Sequence, residues 1–176
     1  MNFFLNGGVV MAMFSFLFGC SAFGHQSPLY VKLAKQITAT TAERLEKQKK
    51  LHLVGTGGEM MDDIQMMAMS FYFYSIVDAD VARNLLITSV EEYLSVINTN
   101  EKIKPYLHNY PFTAKNVEVT IFFYNSDGSN ISPGAISIAT ADKGKVIYYV
   151  DDPEKHTFKT LYEESYEEAL KLVSSK

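Results

Sequence analysis

The C-terminal half of the chain constrains the fold most, because three β-strand patterns follow one another there with only turn-forming residues between them. The predicted strands are residues 117–124, 135–140 and 146–150. The first connection contains the turn-rich segment Asn-Ser-Asp-Gly-Ser-Asn, and the second is an Asp-Lys-Gly hairpin signal. Strands joined by such short turns pair antiparallel. This part of the chain therefore predicts an antiparallel sheet.

Apolar spacing and capping residues elsewhere predict two more strands and three helices. A capping aspartate, Asp78, begins the second helix, and the motif Thr160-x-x-Glu163 begins the third. The order α-β-β-α-β-β-β-α predicts a single α+β domain over residues 29–176, with a mainly antiparallel five-stranded sheet packed by three helices. The other predicted elements are the helices 29–51 and 78–98 and the strands 51–55 and 64–74.

The N-terminal segment is uncharged and apolar. Residues 1–29 contain no Lys, Arg, Asp or Glu, and an apolar run ends there in Leu17-Phe18-Gly19-Cys20. An apolar run of about 7–15 residues followed by small residues is typical of a secretory signal. The only cysteine of the chain directly follows the run, with Gly before it and Leu three places before it. This arrangement resembles the lipobox of bacterial lipoproteins.

The resemblance implies a protein that is anchored in the bacterial cell envelope. Residues 1–19 would be a signal peptide, Cys20 would carry the lipid, and residues 20–28 would tether the domain to the membrane. Two alternatives remain open. Residues 3–23 could form an uncleaved membrane helix, since about 20 apolar residues span a bilayer. Ordinary signal cleavage after Ala22 would instead release a soluble periplasmic protein.

Charge is distributed unevenly along the chain. Residues 28–50 hold six Lys and Arg against two Glu, whereas the rest of the chain holds ten basic and eighteen acidic residues. Beside a lipid anchor, basic side chains can lie on anionic headgroups, where each contributes about 1 kcal/mol. The alternative is a solvated helix face that complements the acidic domain. The acidic body argues against nucleic acid as a partner, because phosphate binding needs a basic surface.

Strand parity divides the predicted sheet into an inward face and an opposite face. Val119, Ile121 and Ile138 fall on the inward face, whereas Glu118 and Ala139 fall on the opposite one. The rings of the opposite face are rigid, apolar and able to hydrogen-bond, so they predict a binding surface for a protein or small-molecule partner. The alternative is that a second layer of helices covers them. The predicted binding residues are Tyr72, Tyr74, Phe122, Tyr124 and Tyr149.

The sequence contains no recognised catalytic motif. It has no Gly-x-Ser-x-Gly elbow, no His-Glu-x-x-His and no Ser-x-x-Lys, and its four histidines lack metal-ligand spacing. We therefore predict a non-catalytic binding or scaffolding domain without a cofactor. The alternative is a small exported hydrolase with a dispersed acidic site, for which Asp62-Asp63 and Asp151-Asp152 are the candidates.

Two unusual segments lie around the start of the second strand. Gly55-Thr56-Gly57-Gly58 lacks the third glycine of a dinucleotide fingerprint and the Gly-Lys-Ser/Thr end of a P-loop, so we interpret it as a hairpin connection with positive φ angles. Five of the eight methionines lie between residues 60 and 69. Thioethers can bind Cu(I), but Met67 and Met69 share strand parity with Phe71, which favours core packing.

Overall fold

The structure, a computed structural model, describes residues 27–175. These residues form one six-stranded sheet and three α-helices, which confirms the predicted α+β class. In chain order the elements are α1 (Leu29–Lys49), β1 (His52–Met60), β2 (Ile64–Phe73), α2 (Ala79–Thr99), β3 (Val117–Phe123), β4 (Ile136–Asp142), β5 (Lys145–Asp152), β6 (Thr157–Ser165) and α3 (Tyr166–Ser174).

The six strands lie side by side in the same order as in the chain. Neighbouring strands are antiparallel except for β2 and β3, which are parallel, so the sheet is mixed but mostly antiparallel. A parallel pair needs a long crossover connection, and α2 lies within it. The sheet therefore consists of a β1–β2 hairpin and a β3–β6 meander that meet at the β2–β3 pair.

All three helices pack on the same face of the sheet. Helix α1 contacts β1 and β2, α2 contacts β3 and β4, and α3 contacts β5 and β6. Val119 and Ile121 of β3 are fully buried in this core, as strand parity predicts, together with Leu86 and Val90 of α2. The other side of the sheet, which we call the open face, carries partly exposed residues such as Glu118 and is covered by none of these helices.

The helix ends follow from local chemistry. The Asp78 carboxylate accepts a hydrogen bond from the Val81 backbone N–H at 2.8 Å, so the predicted cap of α2 is confirmed. At the end of α1, Lys50 adopts a left-handed conformation with φ of 58° and its N–H returns to the Glu46 carbonyl. These two caps satisfy backbone groups that have no partner within the helix itself.

The prediction that the last helix begins at Thr160 is wrong. Residues Thr157–Ser165 form a sixth strand, β6, along β5, and α3 begins only after Ser165. The aromatic and β-branched residues Phe158, Thr160 and Tyr162 favour a strand, and β5 supplies an edge for them to pair with. A second capping motif five residues later, Ser165-x-x-Glu168, makes both reciprocal cap hydrogen bonds and starts the helix.

The glycine segment is not a hairpin connection. It lies inside β1, which extends to Met60, and none of its three glycines has a positive φ angle. Gly58 is required by close approach rather than by a turn, because a Cβ there would lie 2.7 Å from the Met66 carbonyl oxygen and 2.6 Å from the Met60 methyl. The β1–β2 turn follows at residues 61–63.

The face assignment within β4 is also partly wrong. A bulge at Ser137 shifts the strand by one residue, so Ile138 lies on the open face opposite Phe122 and Tyr149. Ala139 is fully buried on the helix side. Because side chains alternate with a period of two, one extra residue moves everything after it to the other face.

The core contains three buried tyrosines whose hydroxyls are hydrogen-bonded. Tyr93 pairs with Thr38 at 2.6 Å, Tyr148 donates to Glu164 at 2.7 Å, and Tyr166 donates to Glu91 at 2.7 Å. Burial disfavours the phenolate and raises the pKa of each ring well above its ordinary value. We refer to Tyr93, Tyr148 and Tyr166 as the buried tyrosines. Met67 and Met69 also lie in the core, as predicted.

Candidate functional site

The strand register places one row of side chains straight across the open face. Each member is the registered partner of the next, from the edge strand β1 through to β6. The row is aromatic or aliphatic over most of its width, which is unusual for a sheet face that no helix covers. In order across the sheet its residues are His52, Tyr72, Phe122, Ile138, Tyr149 and Thr160.

Four of the five predicted binding residues form one ring cluster at the β2–β3 end of this row. We define the aromatic cluster as Tyr72, Tyr74, Phe122 and Tyr124. The Tyr72 ring lies 5.0 Å from Tyr124, 6.0 Å from Phe122 and 6.3 Å from Tyr74, each time edge to face. Tyr74 and Tyr124 are 6.1 Å apart. Ring pairs of this kind contribute about 0.5–1.5 kcal/mol each beyond area burial, so the cluster holds its own geometry.

The cluster remains accessible to solvent. The Tyr74 side chain is 42 % exposed, and the other three rings are partly exposed. Burial against its neighbours, with a smaller contribution from the Tyr72 hydroxyl, raises the pKa of Tyr124 above its ordinary value. The cluster therefore presents apolar rings, and its tyrosine hydroxyl groups can donate or accept hydrogen bonds.

Two residues that the sequence did not single out extend the surface. The His52 ring lies 5.4 Å from Tyr74, and its Nδ1 is 3.3 Å from the Glu46 carboxylate of α1. Ile138 joins the open face because of the bulge in β4. It also separates Phe122 from Tyr149 in the register, so Tyr149 shares the face without belonging to the aromatic cluster.

A small cavity opens beside the cluster. It measures about 70 Å³ and is lined by Tyr124, Ile138, Asp151 and the half-exposed Phe158, among others. Sites for small molecules are usually about 300–1,000 Å³, and one water occupies about 30 Å³. The cavity can therefore admit one partner side chain or a few waters, but it does not enclose a ligand of ordinary size.

The neighbouring part of the open face is more polar. Thr120 and Thr140 share a hydrogen bond of 2.8 Å across β3 and β4, and Lys145 donates to Glu163 at 2.6 Å across β5 and β6. Polar groups that already have partners add little to binding, because a ligand would have to replace bonds that exist. The aromatic cluster is accordingly the part of the face best suited to contact a partner.

The acidic residues considered for a hydrolase do not converge. Asp63 precedes β2 and contacts His108, with 2.6 Å between Asp63 Oδ2 and His108 Nδ1. Asp151 and Asp152 end β5, which runs in the same direction as β2, so the two acidic pairs lie at opposite ends of the sheet. Across residues 27–175, no three His, Cys, Asp or Glu side chains come together as ligands for a metal ion.

A buried ion pair is the main polar feature that the sequence did not reveal. Arg83 of α2 donates from Nε to Glu164 of β6 at 2.8 Å and from Nη1 to Asp80 at 2.7 Å. Tyr148 and Tyr162 donate their hydroxyls to the same Glu164 carboxylate. Arg83 and Glu164 are 8 % and 6 % exposed, so the ion pair itself is buried, and it connects α2 to the far edge of the sheet.

Cys20, the predicted lipidation site, lies outside the described residues, as does most of the predicted tether. The basic stretch is helix α1, where Arg44 pairs with Glu92 at 3.2 Å and Lys49 donates to Thr88 at 2.8 Å. Within residues 27–175 no helix has both the length and the apolar content needed to cross a membrane. Comparison with known protein families, curated proteins and solved structures finds no match to this chain.

Proposed function

We propose that this chain is a membrane-anchored lipoprotein of the bacterial cell envelope whose domain binds a partner protein through the aromatic cluster. The observation that supports the proposal is an accessible group of four mutually packed rings on a sheet face that the three described helices leave uncovered. Rings of this kind provide contact area with little loss of side-chain entropy on binding.

The shape of the surface favours a protein over a small molecule. The cavity beside Tyr124 and Phe158 holds about 70 Å³, which is small for a ligand site, whereas protein interfaces are centred on a few aromatic anchors. Tyr74 projects with 42 % of its surface exposed and offers such an anchor. The cavity between Tyr124 and Phe158 is large enough to receive a single side chain of the partner.

The lipid anchor is supported by the leader pattern that ends in Leu17-Phe18-Gly19-Cys20. Nine residues, 20–28, would separate the lipid from the start of α1, and a fully extended segment of this length reaches about 30 Å. The domain would thus act close to the membrane surface, and its partner would be another protein of the envelope.

Metabolic labelling tests the anchor. Cells that express the protein are grown with a clickable fatty-acid analogue, and we expect the wild type to be labelled and Cys20→Ala to lose the label. Mass spectrometry of the mature N-terminus should find Cys20 as the acylated first residue. Equal labelling of both proteins, or an N-terminus that maps after Ala22, would contradict the anchor.

Site-specific photo-crosslinking tests the binding surface. A photoreactive phenylalanine analogue replaces Tyr74 or Tyr124 in cells, and a matched control carries it at Tyr110, which is 48 % exposed and contacts α2 through the Asn98 carbonyl. We expect a discrete adduct with a partner protein from the two cluster positions and none from the control. The same adduct from all three positions, or none from the cluster, would remove the support for this surface.

A double substitution separates binding from stability. Tyr124→Ala with Tyr149→Ala should abolish recovery of the crosslinked partner from membranes, while thermal stability falls only modestly because both rings are partly exposed. If the double variant unfolds instead, the rings are needed for the fold and the binding surface lies elsewhere.

A further inference from the structure

A groove runs between helix α1 and the outer edge of strand β1, away from the aromatic cluster. It measures about 430 Å³, within the usual range of about 300–1,000 Å³ for binding sites. It is lined by small residues of both elements together with Val31, Leu53 and Met60. The residues that matter here are Ala34, Lys35, Ala39, Thr56, Gly57 and Gly58.

Strand β1 forms an edge of the sheet. Its pairing with β2 shifts register near each end, between Leu53 and Gly55 and between Glu59 and Met60, and bulges are one way in which proteins protect an edge, but the register is regular from Gly55 to Glu59. Among the described residues it pairs only with β2, so its outer N–H and C=O groups have no strand partner. Proteins usually protect such edges with Lys, Pro or very short strands. β1 has nine residues, no Lys, Arg or Pro, and Glu59 as its one acidic residue. Its backbone is therefore available to pair with an added strand.

The glycines of β1 point to the same use. A Cβ at Gly55 would lie 3.6 Å from the Ser70 Cβ, and one at Gly57 would lie 3.7 Å from the Ala68 Cβ, both ordinary contacts. Neither glycine has a positive φ angle, so the isolated domain does not require glycine at these positions. Glycine in a strand costs about 0.5–1 kcal/mol and often marks a place where another backbone or a ligand approaches closely.

The charge of the groove indicates what it accepts. Lys35 lines it and Lys32 lies one turn earlier on α1, and both are exposed. Neither has an ion-pair partner among residues 27–175, and the first turn of α1 holds no acidic residue. An incoming segment with carboxylates would be attracted, whereas pairing of two β1 edges would bring two such basic helices together.

We propose that the groove between α1 and β1 binds an extended acidic peptide segment of another protein by β-strand addition. The added strand would pair with the outer edge of β1. In binding by β-strand addition, backbone hydrogen bonds give affinity and alternate side chains give specificity. Every second side chain would face α1, where apolar ones of small to medium size would enter the groove beside Ala39 and Thr56 and carboxylates would reach Lys32 and Lys35. The others would lie beside Gly55 and Gly57 on the open face. This site does not depend on the aromatic cluster.

Peptide selection tests the proposal. A displayed library of random dodecapeptides is panned against the full-length protein, and we expect the enriched sequences to carry apolar and acidic residues together at alternate positions, those that face α1. The best enriched peptide is then synthesised and its affinity is measured by fluorescence anisotropy. Hydrogen exchange on the complex should show new protection of β1 amides between Gly55 and Glu59.

Matched variants locate the peptide. Lys35→Glu should weaken binding at least about tenfold, whereas Lys47→Glu, the same charge change on α1 outside the groove, should change it less than about twofold. Ala39→Trp should fill the groove and abolish binding, whereas Thr40→Trp on the adjacent helix position should not. Tyr74→Ala should leave peptide affinity unchanged, which separates this site from the proposed function.

The proposal is overturned by any of four results. These are failure to enrich peptides above background, enriched sequences without alternation, equal weakening by the groove and control variants, and a bound peptide that leaves the β1 amides unprotected. A vesicle experiment gives a further contrary outcome. If no peptide binds, and anionic phospholipid vesicles bind the wild type but not Lys35→Glu, the proposal is also overturned, because the lysines would then contact a lipid surface.

Discussion

Replacing Arg83 by methionine should destabilise the domain strongly, because it leaves the Glu164 carboxylate buried without its cation. Removing one partner of a buried ion pair costs about 3–5 kcal/mol. Here the Tyr148 and Tyr162 hydroxyls still donate to Glu164, at 2.7 Å and 3.3 Å, so we expect a loss at the lower end, about 3 kcal/mol. For a domain of this size that loss lowers Tm by about 6–12 °C.

The double variant Arg83→Met with Glu164→Leu tests whether the loss comes from the unpaired buried charge. It buries no charge, and its main remaining penalty is the unpaired Tyr148 hydroxyl, about 1–3 kcal/mol. Asp80, the other partner of Arg83, has a side chain that is 60 % exposed, so water can solvate it. We therefore expect the double variant to be no less stable than Arg83→Met alone, with a coupling energy of about 2 kcal/mol or more.

Urea unfolding followed by far-ultraviolet circular dichroism measures the stability of the wild type, Arg83→Met, Glu164→Leu and the double variant. The reasoning is refuted if Arg83→Met costs less than about 1 kcal/mol, or if the double variant loses the sum of the two single losses. Either result would mean that the carboxylate finds other partners in the core and that the pair does not hold α2 against β6.

Three further predictions concern the sheet, the edge strand and pH. Ile121→Asp should unfold the domain, because an unpaired charge would enter the core, whereas Glu118→Gln should change stability by about 0.5 kcal/mol or less. Thermal melts measure both variants, and a larger loss for Glu118→Gln would mean that the sheet faces are wrongly assigned. Gly58→Ala should lower the free energy of unfolding by about 1–3 kcal/mol, because its Cβ meets a backbone oxygen, whereas Gly57→Ala should be neutral or slightly stabilising. Equal effects of the two substitutions in urea unfolding would contradict the packing described. The unfolded chain ionises its tyrosines near pH 10, but the buried tyrosines have raised pKa values, so the stability that they contribute should be fully present below about pH 9 and should be lost at higher pH. Absorbance at 295 nm should show that at least three of the eleven tyrosines ionise only as the domain unfolds, and ionisation of all eleven with the circular dichroism unchanged would refute this.

Much of the fold could be predicted because local signals and long-range pairing agree. The Asp78 cap, the hairpin signals and the alternation around Ile121 each point to the element that forms. The last helix was misplaced because the same capping motif occurs twice, five residues apart, and only the presence of β5 decides that Thr160 belongs to a strand. Local propensity cannot supply that tertiary information.

The site could be predicted only in part, for similar reasons. Parity along β2 and β3 brought Tyr72 and Phe122 to one face, and the parallel register then placed them side by side. Ile138 was missed because a bulge leaves no clear signal in a sequence, and the Arg83–Glu164 pair was missed because 81 residues separate its members.

The parallel pairing of β2 with β3 has a consequence for how the chain reaches its native state. Met67 is registered with Val117, fifty residues later, whereas the other neighbouring strands are joined by connections of twelve residues or fewer. The N-terminal hairpin and the C-terminal meander can therefore form early. The pairing of β2 with β3 forms later, because closing so long a loop is slow, and until then one edge of each of these two strands stays unpaired. During synthesis β2 emerges well before β3 and presents an apolar edge containing Met69 and Phe71. Aggregation, or capture by a chaperone, would most readily begin at this strand, and substitutions that weaken its pairing with β3 should slow folding more than equally destabilising ones at the hairpin turns.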